Sequence, residues 1–224
     1  MIPLRDTNPS ETIPFVNYAL IAVNALVFFY ELSLGRHLNA FIIDFGVIPA
    51  QFLSDLRSMD VGIGTFLPLF TSMFLHGGWL HVIGNMLFLY IFGDNVEDKF
   101  GHARYFFFYL TAGIAAALTQ VFVNPSSGMP MVGASGAIAG VLGAYIFMFP
   151  KARVVTLIPI FIFFQVVELP AFVFLGIWFL IQTLSGIFSL GIGSDVGGVA
   201  FWAHIGGFAT GAILFPFLRK VRWR

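Results

Sequence analysis

The chain has 224 residues, of which 58% are hydrophobic and only 10% charged, with 11 basic and 11 acidic side chains and a formal net charge of zero. Soluble domains carry about 25% charge, so this chain lacks the polar surface a globule needs in water and belongs in a lipid bilayer. Zero net charge argues against a nucleic-acid partner, and the absence of cysteine excludes disulfides, thiol nucleophiles and thiolate metal sites.

Residues 1–13 are polar and hold Asp6 and Glu11, a pattern that fits neither a cleavable signal peptide nor a mitochondrial transit peptide. Beyond them, six segments approach the roughly 20 apolar residues that cross a hydrocarbon core. They cover about 14–33, 78–96, 104–123, 135–149, 170–189 and 200–218. The stretch 34–77 mixes Phe, Ile and Leu with Asp44, Asp55, Arg57 and Asp60 and reads as short interfacial helices. The stretch 150–169 is apolar but holds Pro150, Pro159 and Glu168, and reads as a membrane-hugging connection. The expected fold is an all-α membrane protein, one domain over 1–224, with six transmembrane helices and a short central fourth helix.

Charge orients this bundle. With a cytoplasmic N-terminus, the inner side collects Arg5, Lys99, Arg104, Lys151, Arg153, Arg219, Lys220, Arg222 and Arg224, and the outer side keeps Arg36 and Arg57. Nine against two is a positive-inside bias with both termini cytoplasmic.

The fourth span is too short. Residues 135–149 make about 22 Å of helix against a core of about 30 Å. Its inner end is fixed by Pro150 and Lys151, so its outer end starts below the membrane surface and segment 124–133 dips down to meet it. Irregular backbone at depth requires burial in protein or a water-filled cavity. Ser135 is therefore expected to face a wet, recessed pocket.

In this topology the second, fourth and sixth spans all run from outside to inside, and His81, Asn85, Ser135 and His204 sit near their starts, within about 10 Å of one depth. Polar groups at membrane depth are costly and mark functional sites by default. Ser135, at a helix N-terminus with free N–H groups, suits a nucleophile; the simpler reading is a helix-capping serine. His204 suits its general base. It precedes Gly207 and Gly211 on one helix face, matching Gly136 and Gly140 beside Ser135, a spacing that lets membrane helices approach closely. The glycines alone could simply pack. His81 and Asn85, at i and i+4, project from one face and can donate hydrogen bonds to an oxyanion; the simpler reading is polar contact between helices. His76 reads as a marker of the interface. Asp195, in the outer loop, is the one acid close in sequence to His204, and reads as a solvated loop residue, so a Ser–His dyad is expected rather than a triad. The sequence holds no nucleophile elbow, no HExxH zinc motif, no paired intramembrane aspartates and no Gly-rich phosphate loop.

Taken together, the stretches GASGAIAG (133–140), HGGWLHVIGNMLFLYIFGDNVED (76–98) and AHIGG (203–207) resemble the rhomboid family of intramembrane serine proteases, in order and with the expected spacing. The resemblance implies Ser135 as nucleophile, His204 as general base, and His81, Asn85 and the Ser135 backbone N–H as the oxyanion hole. It implies a structural role for Glu97, a first loop partly in the membrane over 34–77, a cap over the site at 190–199, and a mobile lateral gate in the fifth span. An aromatic residue that often stacks on the catalytic histidine in this family is replaced by Ala139.

The implied activity is hydrolysis of peptide bonds in or near transmembrane segments of membrane-protein substrates, without metal or cofactor. The implied setting is a prokaryotic plasma (inner) membrane, in a minimal six-span core whose site opens outward. The partners are then those substrates and the lipid bilayer, with oligomeric state open. Two other classes compete. One is a catalytically silent rhomboid-like protein that binds or escorts clients. The other is a transporter, against which stand the lack of an inverted repeat and of a charge chain across the membrane.

Overall fold

The computed structural model describes residues 1–161, 163–192 and 199–220. A short strand β1 (Ile2–Asp6) precedes helix α1 (Phe15–Ser33). Four short helices then follow, α2 (Leu38–Phe45), α3 (Pro49–Ser58), α4 (Ile63–Phe66) and α5 (Pro68–Thr71), with single 3-10 turns at Gly35–His37 and Ser72–Phe74. Long helices α6 (Trp79–Phe100) and α7 (His102–Val123) lead to the short α8 (Ser135–Met148). Strands β2 (Arg153–Ile160) and β3 (Phe163–Pro170) connect it to α9 (Ala171–Ile192) and α10 (Phe201–Leu218). The region 34–77 thus folds as the short helices its mixed composition suggests.

Among the described residues, four helices are long and apolar enough to cross a membrane: α1, α7, α9 and α10. A fifth candidate pairs Ile63–Phe74 with α6 across a 79° bend. Polarity explains why α6 falls short alone: His81, Asn85, Asp94 and Asn95 interrupt its apolar stretch, and Glu97, Asp98 and Lys99 follow it. At 14 residues, α8 is too short by length.

One sequence expectation is corrected here. The protein is mostly helical but not all-α, because the connection read at 150–169 folds as β-structure. Residues 153–170 form an antiparallel hairpin in full register from Arg153↔Pro170 to Ile160↔Phe163, and β1 pairs with β2 to complete a sheet of order β1-β2-β3. The physical reason lies in Val154, Val155, Thr156, Ile158, Val166 and Val167, whose branched side chains suit a pleated surface. In β2, Val154, Val155 and Thr156 are all buried, so the central strand shows no alternation to set it apart from a buried helix.

The N-terminal segment is stitched to the end of α6. Thr12 Oγ1 donates to Asp98 at 2.7 Å and Ser10 Oγ to Asp94 at 3.0 Å. Glu97, wholly buried, accepts the backbone N–H groups of Val16 and Asn17 at 3.0 and 2.7 Å. These belong to the first turn of α1, where N–H groups lack helical partners and favour a negative charge. His102 also contacts the Glu97 carboxylate.

The core centres on α8. Every residue from Gly136 to Tyr145 is buried, enclosed by α6, α7, α9 and α10. Large rings of Phe92, Tyr105, Tyr109, Tyr145 and Phe174 fill its lower half. Toward its start the packing switches to small residues. A Cβ on Gly136 would come 2.6 Å from the Cβ of Ala116 on α7. A Cβ on Gly207 or Gly211 of α10 would overlap the carbonyl oxygens of Gly136 and Gly140. Only glycine lets α8 and α10 approach this closely.

Candidate active site

The glycine seam carries the site at its upper end. Ser135 is the first residue of α8, and His204 lies one turn into α10. Ser135 Oγ is 2.8 Å from His204 Nε2, with the imidazole only 8% exposed. The N-cap position belongs to Ala134, and no side chain caps α8. The serine hydroxyl is therefore not spent on the helix end, which removes the simpler capping reading.

Both groups line a cavity of about 640 Å³. His81 and Asn85 line it too, one turn apart on α6. The Asn85 side chain is largely buried, and its Nδ2 has no hydrogen-bond partner among the described residues. A buried amide donor without a partner is costly unless a ligand group meets it. His81 Nδ1 faces the Gly77 N–H at 3.4 Å, and its other side lies against Gly133. Gly133 has φ +126°, and a Cβ there would sit 2.6 Å from His81 Nε2. That position needs glycine for backbone and space together, because the chain turns there to start α8. The Gly133 N–H is anchored on the Ser72 carbonyl at 2.8 Å.

Two neighbours of the site were not legible in the sequence. Gln182, on α9, places Oε1 2.7 Å from His204 Nδ1. Trp178, one turn earlier on α9, has its ring 5.8 Å from the imidazole. Their i, i+4 spacing next to a polar gap in an apolar helix was the available signal. His76 is 3% exposed, its backbone N–H donates to the buried Glu31 carboxylate at 3.1 Å, and its ring lies 5.1 Å from that of His81. Asp195 and most of the expected cap, at 193–198, lie outside the described residues, and α9 itself extends to Ile192.

The geometry is that of a serine hydroxyl and a buried imidazole in contact at the wall of a cavity, inside a helical membrane bundle. The rhomboid-domain family model matches residues 64–221, so the chain belongs to the rhomboid family and is an integral membrane protein. It is 32% identical over 136 residues to "Rhomboid protease GluP" of Bacillus subtilis, covering 60% of this chain and 25% of that protein. It is 34% identical over 156 residues to "RHOMBOID-like protein 1" of Arabidopsis thaliana, covering 69% and 35%. Against "Rhomboid protein 1, mitochondrial" of Saccharomyces cerevisiae it is 28% identical over 153 residues, covering 66% and 41%. The chain thus spans about a quarter to two fifths of these relatives' lengths.

Proposed function

We propose that this chain is an intramembrane serine endopeptidase that cuts peptide bonds in or near transmembrane segments of membrane proteins, using Ser135 and His204 as a dyad. The observation that carries this reading is the 2.8 Å contact between Ser135 Oγ and His204 Nε2 at the cavity wall. A serine hydroxyl is a poor nucleophile until a neighbouring base takes its proton.

In the reaction, Ser135 Oγ attacks the scissile carbonyl while His204 Nε2 accepts the hydroxyl proton. The carbonyl oxygen becomes an oxyanion, stabilised by Asn85 Nδ2, His81 and the Ser135 backbone N–H. His204 then protonates the leaving amine, and the acyl-enzyme is hydrolysed by water activated by the same imidazole. The unpartnered Asn85 Nδ2 supports the oxyanion role, because a donor held ready costs nothing to reorganise when charge develops. A helical substrate must unwind to expose its carbonyls, so weak helix formers near the cut favour cleavage. None of these steps needs a metal or cofactor.

The topology proposed with this function has six spans, α8 and α6 included, with both termini cytoplasmic and the cavity open to the outer side. The nine-to-two distribution of basic residues supports that orientation. Substrates enter beside α9. A prokaryotic plasma membrane fits the similarity to the Bacillus protein, although relatives also include mitochondrial and chloroplast proteins.

The test is a fluorophosphonate probe and a model membrane substrate, applied to full-length protein in liposomes. Labelling and cleavage by the wild type, and loss of both in Ser135→Ala, are expected. Equal behaviour of the two proteins would reject the dyad, and unlabelled wild type that still binds clients would favour the silent escort.

A further inference from the structure

His204 makes two side-chain contacts with polar groups, and they define its chemistry. Nε2 meets Ser135 Oγ at 2.8 Å, and Nδ1 meets Gln182 Oε1 at 2.7 Å. A carboxamide oxygen only accepts hydrogen bonds. Nδ1 therefore carries the proton, and Nε2 offers its lone pair to the serine hydroxyl, which is the tautomer a general base requires. The described ion pairs involve no acid at His204. Ala139, one turn after Ser135, supplies no ring, and the indole of Trp178 lies beside the imidazole instead, tilted by 38°.

We propose that Gln182 is the positioning residue of this site, a neutral third member on α9 that holds His204 in the Nδ1–H tautomer and in the orientation that reaches Ser135, with Trp178 packed behind it. This takes the serine–histidine reading above as given. The choice of amide over carboxylate follows from the surroundings. A carboxylate beside a buried imidazole in an apolar bundle carries a large desolvation cost, whereas an amide oxygen accepts the same hydrogen bond without charge. A neutral acceptor orients the ring but gives the imidazolium less electrostatic support. Its removal should therefore cost less than the roughly 10⁴-fold seen when a charged third member loses its role, on the order of ten- to a hundredfold.

The positions of Trp178 and Gln182 also tie the base to α9. Both face α10, where Phe179 stacks on Phe208 at 4.4 Å. Orientation of the base thus depends on a helix that contributes neither the nucleophile nor the base.

The test uses full-length protein in liposomes with three variants. Gln182→Leu and Gln182→Met keep the volume but lose the acceptor, and Gln182→Glu retains it. In both apolar variants kcat and the fluorophosphonate labelling rate of Ser135 should fall about ten- to a hundredfold with KM unchanged, and Gln182→Glu should stay within a few-fold of wild type. Nitrogen-15 NMR of labelled histidine, assigned by difference from His204→Ala, should show the Nδ1–H tautomer in wild type and a mixture in Gln182→Met. Wild-type labelling rates in the apolar variants or an Nε2–H tautomer in wild type would overturn the proposal. Failure of the dyad reading would look different, with Ser135→Ala indistinguishable from wild type and the tautomer measurement still decisive for Gln182.

Discussion

Gly207 sits against the carbonyl oxygen of Gly136, so closely that a Cβ on Gly207 would overlap it. Ser135 is the residue before Gly136 and His204 is one turn before Gly207, so this contact sets the spacing of the proposed dyad. Gly207→Val should push α10 off α8 and take the imidazole out of reach of the hydroxyl. A misplacement of about 1 Å can cost about 100-fold in rate, and overpacking costs about 1–3 kcal/mol. Probe labelling of Ser135 should therefore fall about 100-fold, with a lower unfolding midpoint. Gly176→Ala on α9, where an added Cβ meets nothing within 4 Å, should leave labelling unchanged.

With the proposed oxyanion role, Asn85→Ala should separate catalysis from stability. Its Nδ2 is buried without a protein partner among the described residues, so truncation removes a desolvated donor rather than a bond. Loss of one oxyanion donor costs about 10²–10³ in kcat. Cleavage should drop by that order with the unfolding midpoint within a few degrees of wild type. A large loss of stability at constant kcat would mean that Asn85 only joins helices.

The helices were legible because their apolar runs are long and bounded. Ser135, His81, Asn85 and His204 stood out because polar groups are rare in such runs. The sheet was not legible, since Ile2–Asp6 pairs with residues about 150 positions away and carries no local period of its own. Gln182 was missed for a related reason. One amide within an apolar span has the same appearance whether it binds a histidine 22 residues later or a backbone carbonyl one turn away. Its role is set by the angle at which α9 meets α10, which no spacing rule supplies.

Glu97→Ala should do the reverse of Asn85→Ala. The Glu97 carboxylate satisfies the Val16 and Asn17 N–H groups at the buried start of α1. Without it, orphaned buried donors cost about 1–3 kcal/mol. The unfolding midpoint should fall, while the labelling rate of the protein that remains folded stays at the wild-type value, because Glu97 lies at the opposite end of α6 from His81. Glu97→Gln, which keeps one acceptor oxygen, should fall between the two. Slower labelling in folded Glu97→Ala would show that the N-terminal staple reaches the site.

Asp6 gives the fold a pH dependence of definite sign. Burial in the β1 end of the sheet raises its pKa from 3.8 to about 6, and the nearby Asp94 adds to this, while the hydrogen bond from the Tyr145 hydroxyl pulls the other way without cancelling it. Asn95 Nδ2 also donates to Asp6, at 3.3 Å. The folded chain holds the Asp6 proton more tightly than the unfolded chain does. Its contribution to stability is therefore complete below the unfolded value of 3.8 and is lost as pH rises through about 6. Hydrogen exchange at the β1–β2 amides, corrected for intrinsic rates, should show stronger protection at about pH 5 than at about pH 7.5. Asp6→Asn, neutral throughout, should flatten this difference. Equal protection at both pH values in the wild type would mean that the Asp6 carboxyl is solvated rather than buried against Tyr145.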